Sequence, residues 1–381
     1  NQADSPHLYR TVTTNGDSKT ATFSCWVKRT NLSVSDSLVI MGSNATSGNN
    51  HTAISYQTDN LIALRYRNSS GSGGGTSTRV FRDVTSWHHL VFTVDTTQSS
   101  ATNRQKLYVN GTQDTEIVGN SNSQNDTLNI NTSGSVLAIG AVYYGGTFYQ
   151  NRGDFYIAEV NFIDGQSLDP SYFGFTDPVT GIWMPKRYEG TYGTNGFYLD
   201  VSDNSSAAAL GIDKSPNGND FTANNFSVSA GAGNDSLEDT PTNNFATMNR
   251  LVPSPSVTWA NGNLDISGSN ASEYSQNNTS TFGVSSGKWY VEAKYASAGS
   301  NNNPYVGICP TKYEADTNMT GSVTDAAVLR MSNETYIEGS DSQNIFPSGI
   351  SVGNTIGIAL DMDLSLIHIS EPTRQAEMSY A

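Results

Sequence analysis

A chain of 381 residues has room for two or three domains, and its formal charge of −15 comes with only 14% charged residues, so Asn, Ser, Thr and Gly carry most of the polarity. With 19 Tyr and 14 Phe in that background, the composition reads as strands joined by long polar loops. It argues against a nucleic-acid partner, which needs clustered Lys and Arg, and against membrane insertion, because no apolar run is long enough to span a bilayer.

Two cysteines, Cys25 and Cys309, stand in what are expected to be different domains, so neither a disulfide framework nor a zinc set is present. Cys25 sits inside a strand pattern, where a small buried thiol is ordinary. No signal peptide is visible, and the chain opens on Asn1 instead of Met, so the natural start is expected further upstream.

In chain order, residues 21–28 alternate cleanly. Ala21, Phe23, Cys25 and Val27 fall on one face, and Thr22, Ser24, Trp26 and Lys28 on the other, which predicts a strand. Strands are also predicted at 37–42, 53–56, 61–66 and 80–82. Residues 69–77, made of Ser, Gly and Thr, are expected as a flexible loop tip. They are not a phosphate cradle, since no Lys-Ser/Thr and no helix follow.

The stretch from Trp87 to Gly111 organises this half of the chain. Leu90, Phe92 and Val94 alternate with more polar neighbours, a wet loop follows, and Leu107 and Val109 repeat the pattern before Asn110-Gly111, both tolerant of positive φ, close a hairpin. Strands at 136–140 and 155–163 complete the series, and Asp169-Pro170 then caps a single helical turn before Gly174.

Trp87-His88-His89-Leu90, Leu107-Tyr108-Val109-Asn110-Gly111 and Ile157-Ala158-Glu159-Val160-Asn161-Phe162-Ile163-Asp164-Gly165 together resemble the laminin-G-like branch of the concanavalin A-like lectin/glucanase group, over roughly residues 3–175. The turn-rich stretch after Trp183, with Gly190-Thr191-Tyr192-Gly193 and Asp213-Lys214-Ser215-Pro216-Asn217-Gly218, resembles a connector of tail-fibre-like proteins of marine bacteriophages. It is expected to have little core of its own, with single aromatics clipping onto a neighbouring surface.

From Val257 a strand pattern resumes. Gly287-Lys288-Trp289-Tyr290-Val291-Glu292-Ala293, Val306-Gly307-Ile308 and Thr355-Ile356-Gly357-Ile358-Ala359-Leu360-Asp361 resemble the SPRY (B30.2) domain. The ending, 364–381, resembles a translated sequencing adapter, which leaves the second sandwich cut mid-domain with an unpaired edge.

The expectation is therefore an all-β protein of two antiparallel β-sandwiches. A concanavalin-like jelly roll (1–176) is joined by an irregular connector (177–255) to an incomplete SPRY-like sandwich (256–363), with a non-native tail at 364–381.

Chemistry finds little support. Glucanases on this fold need carboxylates alternating along one strand, and no Glu-x-Asp-x-x-Glu occurs. Asp154 and Glu159 are an odd number of residues apart and so point to opposite faces, while Glu116 stands alone after Asp114. His88 and His89 lack a third metal ligand and are expected to pack at a sheet margin. No Gly-x-Ser-x-Gly elbow is present, and Asn-x-Ser/Thr triplets arise by chance in such a composition.

The binding candidate is the loop at 142–154. Tyr143, Tyr144, Phe148 and Tyr149 offer ring faces for sugar C–H groups, with Asn151, Arg152 and Asp154 to bond hydroxyls. Against this stands the reading that the rings fold inward and close the end of the sandwich. The resemblance admits calcium, although no Asp-x-Asp-x-Asp run marks a site. It implies a non-enzymatic module of a virion appendage or an extracellular protein, which recognises a host-surface glycan or protein receptor. Other virion proteins and copies of the chain itself would be neighbours. A structural fibre spacer and a bacterial surface adhesin are the competing readings.

Overall fold

The computed structural model describes residues 5–32, 37–45, 50–68, 71–114, 122–149, 154–252, 257–268, 278–298, 304–310, 326–330, 335–337, 340–342, 350–364 and 366–370. These fall into two compact units, Asn1–Ala246 with Ala260–Leu264, and Thr247–Trp259 with Asp265–Ala381.

The first unit contains two antiparallel sheets. In spatial order the seven-stranded sheet runs Thr222–Asn224, His7–Thr11, Ser135–Ile139, Leu38–Ala45, His51–Tyr56, Ile62–Asn68, Gly71–Thr76. The six-stranded sheet runs Phe197–Leu199, Phe155–Asp164, Thr20–Arg29, His88–Asp95, Gln105–Val109, Thr112–Asp114. The predicted alternation sets their facing: Phe23, Cys25, Val27, Leu90, Phe92, Val94, Leu107 and Val109 meet Leu8, Ile40, Ile54, Ile62 and Leu137 in one core. Burial of that kind is the main stabilising term of a sandwich.

The turn at Asn110 (φ 47°) and Gly111 (φ 79°) closes the last hairpin of the six-stranded sheet, as the dipeptide predicts. Asp169 caps the single turn Pro170–Tyr172 by accepting from the Ser171 N–H at 2.9 Å. Two expectations fail locally. Residues 71–76 are an edge strand paired with Ile62–Asn68, because glycines meet no steric bar to extension beside Tyr66 and Leu64. Residues 80–82 form no strand; the Phe81 carbonyl accepts from the Arg29 guanidinium and its N–H bonds to the Asn60 carbonyl, which takes this backbone out of any ladder.

The stretch expected to be an irregular connector supplies an edge strand to each sheet. Phe197–Leu199 pairs with Phe155–Asp164, and Thr222–Asn224 pairs with His7–Thr11. Phe197, Leu199 and Phe221 enter the shared core, so its isolated aromatics are core side chains borrowed from a distance.

This same stretch covers the outer face of the six-stranded sheet. Thr22, Ser24, Trp26 and Lys28, which the alternation places opposite the core, are all buried. Val91, Ile163, Phe173, Tyr188, Tyr192 and Tyr198 form a second apolar cluster there, and Trp26, Trp87 and Ala158 with Tyr156 and Trp183 a third. Asp164, itself buried, pins three segments by accepting from Asp17 N–H, Asn131 Nδ2 and Asn195 N–H.

In the second unit Lys288–Lys294, Thr355–Asp361 and Leu366–Ser370 form a three-stranded sheet. Tyr305–Ile308, Ala327–Arg330, Thr335–Ile337 and Ser340–Ser342 form one of four strands. Tyr295, Leu329, Ile356 and Ile358 make its core, with Ile367 packed against it. Ile367 belongs to the stretch set aside as a tail; 366–370 pairs with Thr355–Asp361, while 371–381 lies outside the described residues. No helix among the described residues is long and apolar enough to cross a membrane.

Candidate functional site

Val142–Tyr144 and Thr147–Tyr149 form a two-stranded hairpin, turned by Gly145 (φ 58°) and Gly146 (φ 87°), the two positive-φ positions that a tight turn needs. Its place on the fold follows from side-chain alternation. Leu8 points into the core, so His7 and Tyr9 face outward, and the Phe148 ring lies 4.3 Å from the His7 ring and 4.9 Å from that of Tyr9. Tyr143, directly opposite Phe148 in register, stands edge-on to it at 5.0 Å.

At its other side the hairpin crosses Gly42. A β-carbon built there would lie 2.7 Å from the Ala141 carbonyl oxygen and 2.9 Å from Val142 Cβ, so only glycine lets the hairpin sit this close. Gly42→Ala should therefore cost about 1–3 kcal/mol of stability by overpacking, read as a shift of the urea midpoint.

The hairpin thus lies on the outer face of the seven-stranded sheet. Val142, Tyr143, Tyr144 and Phe148 are half-buried, neither enclosed in the core nor fully in solvent. Tyr149 belongs to the second strand, but its side chain, Asn151 and Arg152 lie outside the described residues. Asp154 is placed elsewhere in function: it is buried, and its carboxylate accepts the Thr30 hydroxyl at 2.8 Å, fastening adjacent strands of the six-stranded sheet. His7 and Tyr9 were missed by sequence reading, since their strand is short and pairs with residues more than a hundred positions away. Outward alternation from Leu8 is the signal that could have found them.

The carboxylates of the six-stranded sheet stay apart in role. Glu159 occupies a bulge at φ 53° and accepts from the Tyr198 hydroxyl at 2.7 Å, and burial pushes its carboxyl up from the ordinary range. Among the described residues no group of three His, Cys, Asp or Glu is arranged to hold a metal.

One buried Ser–His contact invites a nucleophile reading, Ser24 Oγ to His89 Nε2 at 2.8 Å. Its polarity is wrong for that role. Trp183 Nε1 can only donate, and it reaches His89 Nδ1 at 2.9 Å, so the neutral ring carries its proton on Nε2 and donates to Ser24. A base that already holds a proton on the contacting nitrogen cannot take the serine's. The contact is structural.

Residues 4–168 match the family model described as the Concanavalin A-like lectin/glucanases superfamily. The all-β sandwich of the first unit is that fold, as its strand motifs led one to expect. No curated protein matches the chain. Among solved structures it is similar to the heptameric SAP-like pentraxin from Limulus polyphemus (16% identity, 43% of this chain and 71% of that one, TM-score 0.32). It is also similar to the Ruminococcus gnavus IT-sialidase CBM40 bound to alpha2,3 sialyllactose (12% identity, 39% and 85%, TM-score 0.29). A third is the Botulinum neurotoxin serotype D binding domain (12% identity, 43% and 38%, TM-score 0.30). At these TM-scores the likenesses carry no functional argument.

Proposed function

We propose that the first unit is a recognition module that binds a host-surface glycan or protein receptor on the outer face of its seven-stranded sheet. The observation that carries this reading is an asymmetry between the two outer faces. That of the six-stranded sheet is buried beneath residues of the same chain, whereas that of the seven-stranded sheet carries an aromatic hairpin whose rings remain part-exposed. Half-buried aromatics held in fixed orientation suit sugar stacking, because little side-chain freedom is lost on binding. The match of residues 4–168 to a lectin/glucanase family model supports the same class.

The proposal extends, by the resemblance of the connector and of the SPRY-like second unit, to a phage tail fibre or similar virion appendage as the setting, with other virion proteins as neighbours. Calcium belongs to it as a variable to be tested.

The test is a glycan array probed with the full chain, with and without calcium, beside Tyr143→Ala/Phe148→Ala. Saturable binding that weakens at least about tenfold in the double variant, about 1.4 kcal/mol, is the expected result. Unaltered melting temperature in that variant controls for folding. Folded protein that binds neither glycans nor host-cell surfaces would favour the fibre-spacer reading.

A further inference from the structure

On the strand Ile62–Asn68, Ile62 and Tyr66 point into the core and Leu64 packs against it, so Arg65 and Arg67 project from the outer face, the face of the hairpin. Both are exposed, and among the described residues neither has a carboxylate within salt-bridge distance. In a chain of net charge −15, two exposed guanidiniums two residues apart on one face are a local inversion of sign.

The register shows what lies between them and the hairpin. Arg65 is opposite Ala53, Ala53 opposite Gly42, Gly42 opposite Ala138, and Ala138 opposite Tyr9. Val142 of the hairpin packs on Gly42, so the near edge of the hairpin lies two strands, about 10 Å, from Arg65, with only the Ala53 methyl group between them in the row.

On the far side, the edge strand presents Gly74 and Ser72 opposite Arg65 and Arg67. Gly74, at φ 130° with a built β-carbon 2.1 Å from the Leu64 carbonyl oxygen, admits no larger residue, so nothing bulky overhangs the arginines.

We infer that the ligand of this face is acidic, a glycan bearing a carboxylate or a sulfate, with the anion taken by Arg65 and Arg67 and the sugar ring by the hairpin aromatics. Guanidinium forks match both anions bidentately, and the two arginines, two residues apart on one face, sit about 7 Å apart at their β-carbons. This inference rests on the glycan-binding reading above.

The experiment is a glycan array that carries neutral glycans beside their sulfated and carboxylated counterparts, probed with the full chain at low and high salt. Expected are signals at least tenfold stronger for one or both acidic counterparts. That preference falls at high salt and is lost in Arg65→Gln/Arg67→Gln, while residual neutral binding is kept. Both substitutions are at exposed positions, and an unchanged melting temperature confirms folding. Whether sulfated or carboxylated members gain identifies the anion. Equal binding of neutral and acidic members, or a preference that survives the double substitution, overturns the acidic-ligand inference and leaves the glycan reading standing. No binding to any member overturns both.

Discussion

Lys28→Ala should destabilise the first unit by about 3–5 kcal/mol, the range for breaking one side of a buried ion pair. Lys28 is fully buried on the outer face of the six-stranded sheet, and its ammonium uses all three protons: Asp239 Oδ2, Asn244 Oδ1 and the Phe245 carbonyl, each at 2.7 Å. Asp239 in turn accepts from Trp87 Nε1 at 2.7 Å, and Asn244 donates to the Thr85 carbonyl at 2.9 Å. Burial pulls the lysine pKa below its ordinary value, with Asp239 opposing that shift.

Removing the cation leaves the Asp239 carboxylate in a dry site with the Trp87 Nε1–H as its remaining partner and no counter-charge beside it, so the loss exceeds that of the three bonds alone. Urea unfolding followed by tryptophan fluorescence reads it, since Trp26, Trp87 and Trp183 lie in this same face. A second variant isolates the charge: Lys28→Met with Asp239→Leu should recover much of the loss, because an apolar pair removes both desolvation penalties. A loss below about 1 kcal/mol in Lys28→Ala would show that this clasp does not hold the face closed.

The second large effect is a pH dependence set by His89. Its ring is stacked between Trp26 (5.0 Å) and Trp183 (6.0 Å), and burial lowers its pKa from 6.5 to about 3. The folded state therefore holds His89 neutral where the unfolded chain has protonated it. Between pH 6.5 and 3 the unfolded state binds more protons, so stability is complete above pH 6.5 and falls as pH drops through that window.

The slope from this group approaches about 1.4 kcal/mol per pH unit, or roughly 3 kcal/mol between pH 6.5 and about pH 4. Half-buried His88, also lowered by burial, adds in the same direction. The measurement is urea stability of the wild type and of His89→Gln across this range. The variant should start less stable at neutral pH and then lose less on acidification. Parallel curves would mean that His89 is already protonated in the folded protein.

Much of the fold was legible because the two-residue period is a local property. The alternations at 21–28 and 90–95 and the Asn110-Gly111 turn mark strands and a hairpin wherever the chain later places them. What lies across from a strand is not local. Lys28 reads as a solvent-facing residue, and nothing near it in sequence announces Asp239, Asn244 and Phe245, more than two hundred residues away. The connector misleads for the same reason: its three-residue strands at Phe197–Leu199 and Thr222–Asn224 are too short to show a period, and they are strands only because a long partner offers an open edge.

The candidate site divides along that line. By itself the sequence determined an all-β sandwich and an aromatic-rich segment at 142–154. Tertiary structure alone decided that Phe148 rests on Tyr9 and His7 with Tyr143 edge-on to it, that Asp154 turns away to Thr30, and that Arg65 and Arg67 share the hairpin's face. The physical reason is strand register. Side-chain direction along one strand follows from its own residues, but which side chains become neighbours across a sheet depends on pairings and loop closures that only the folded chain selects.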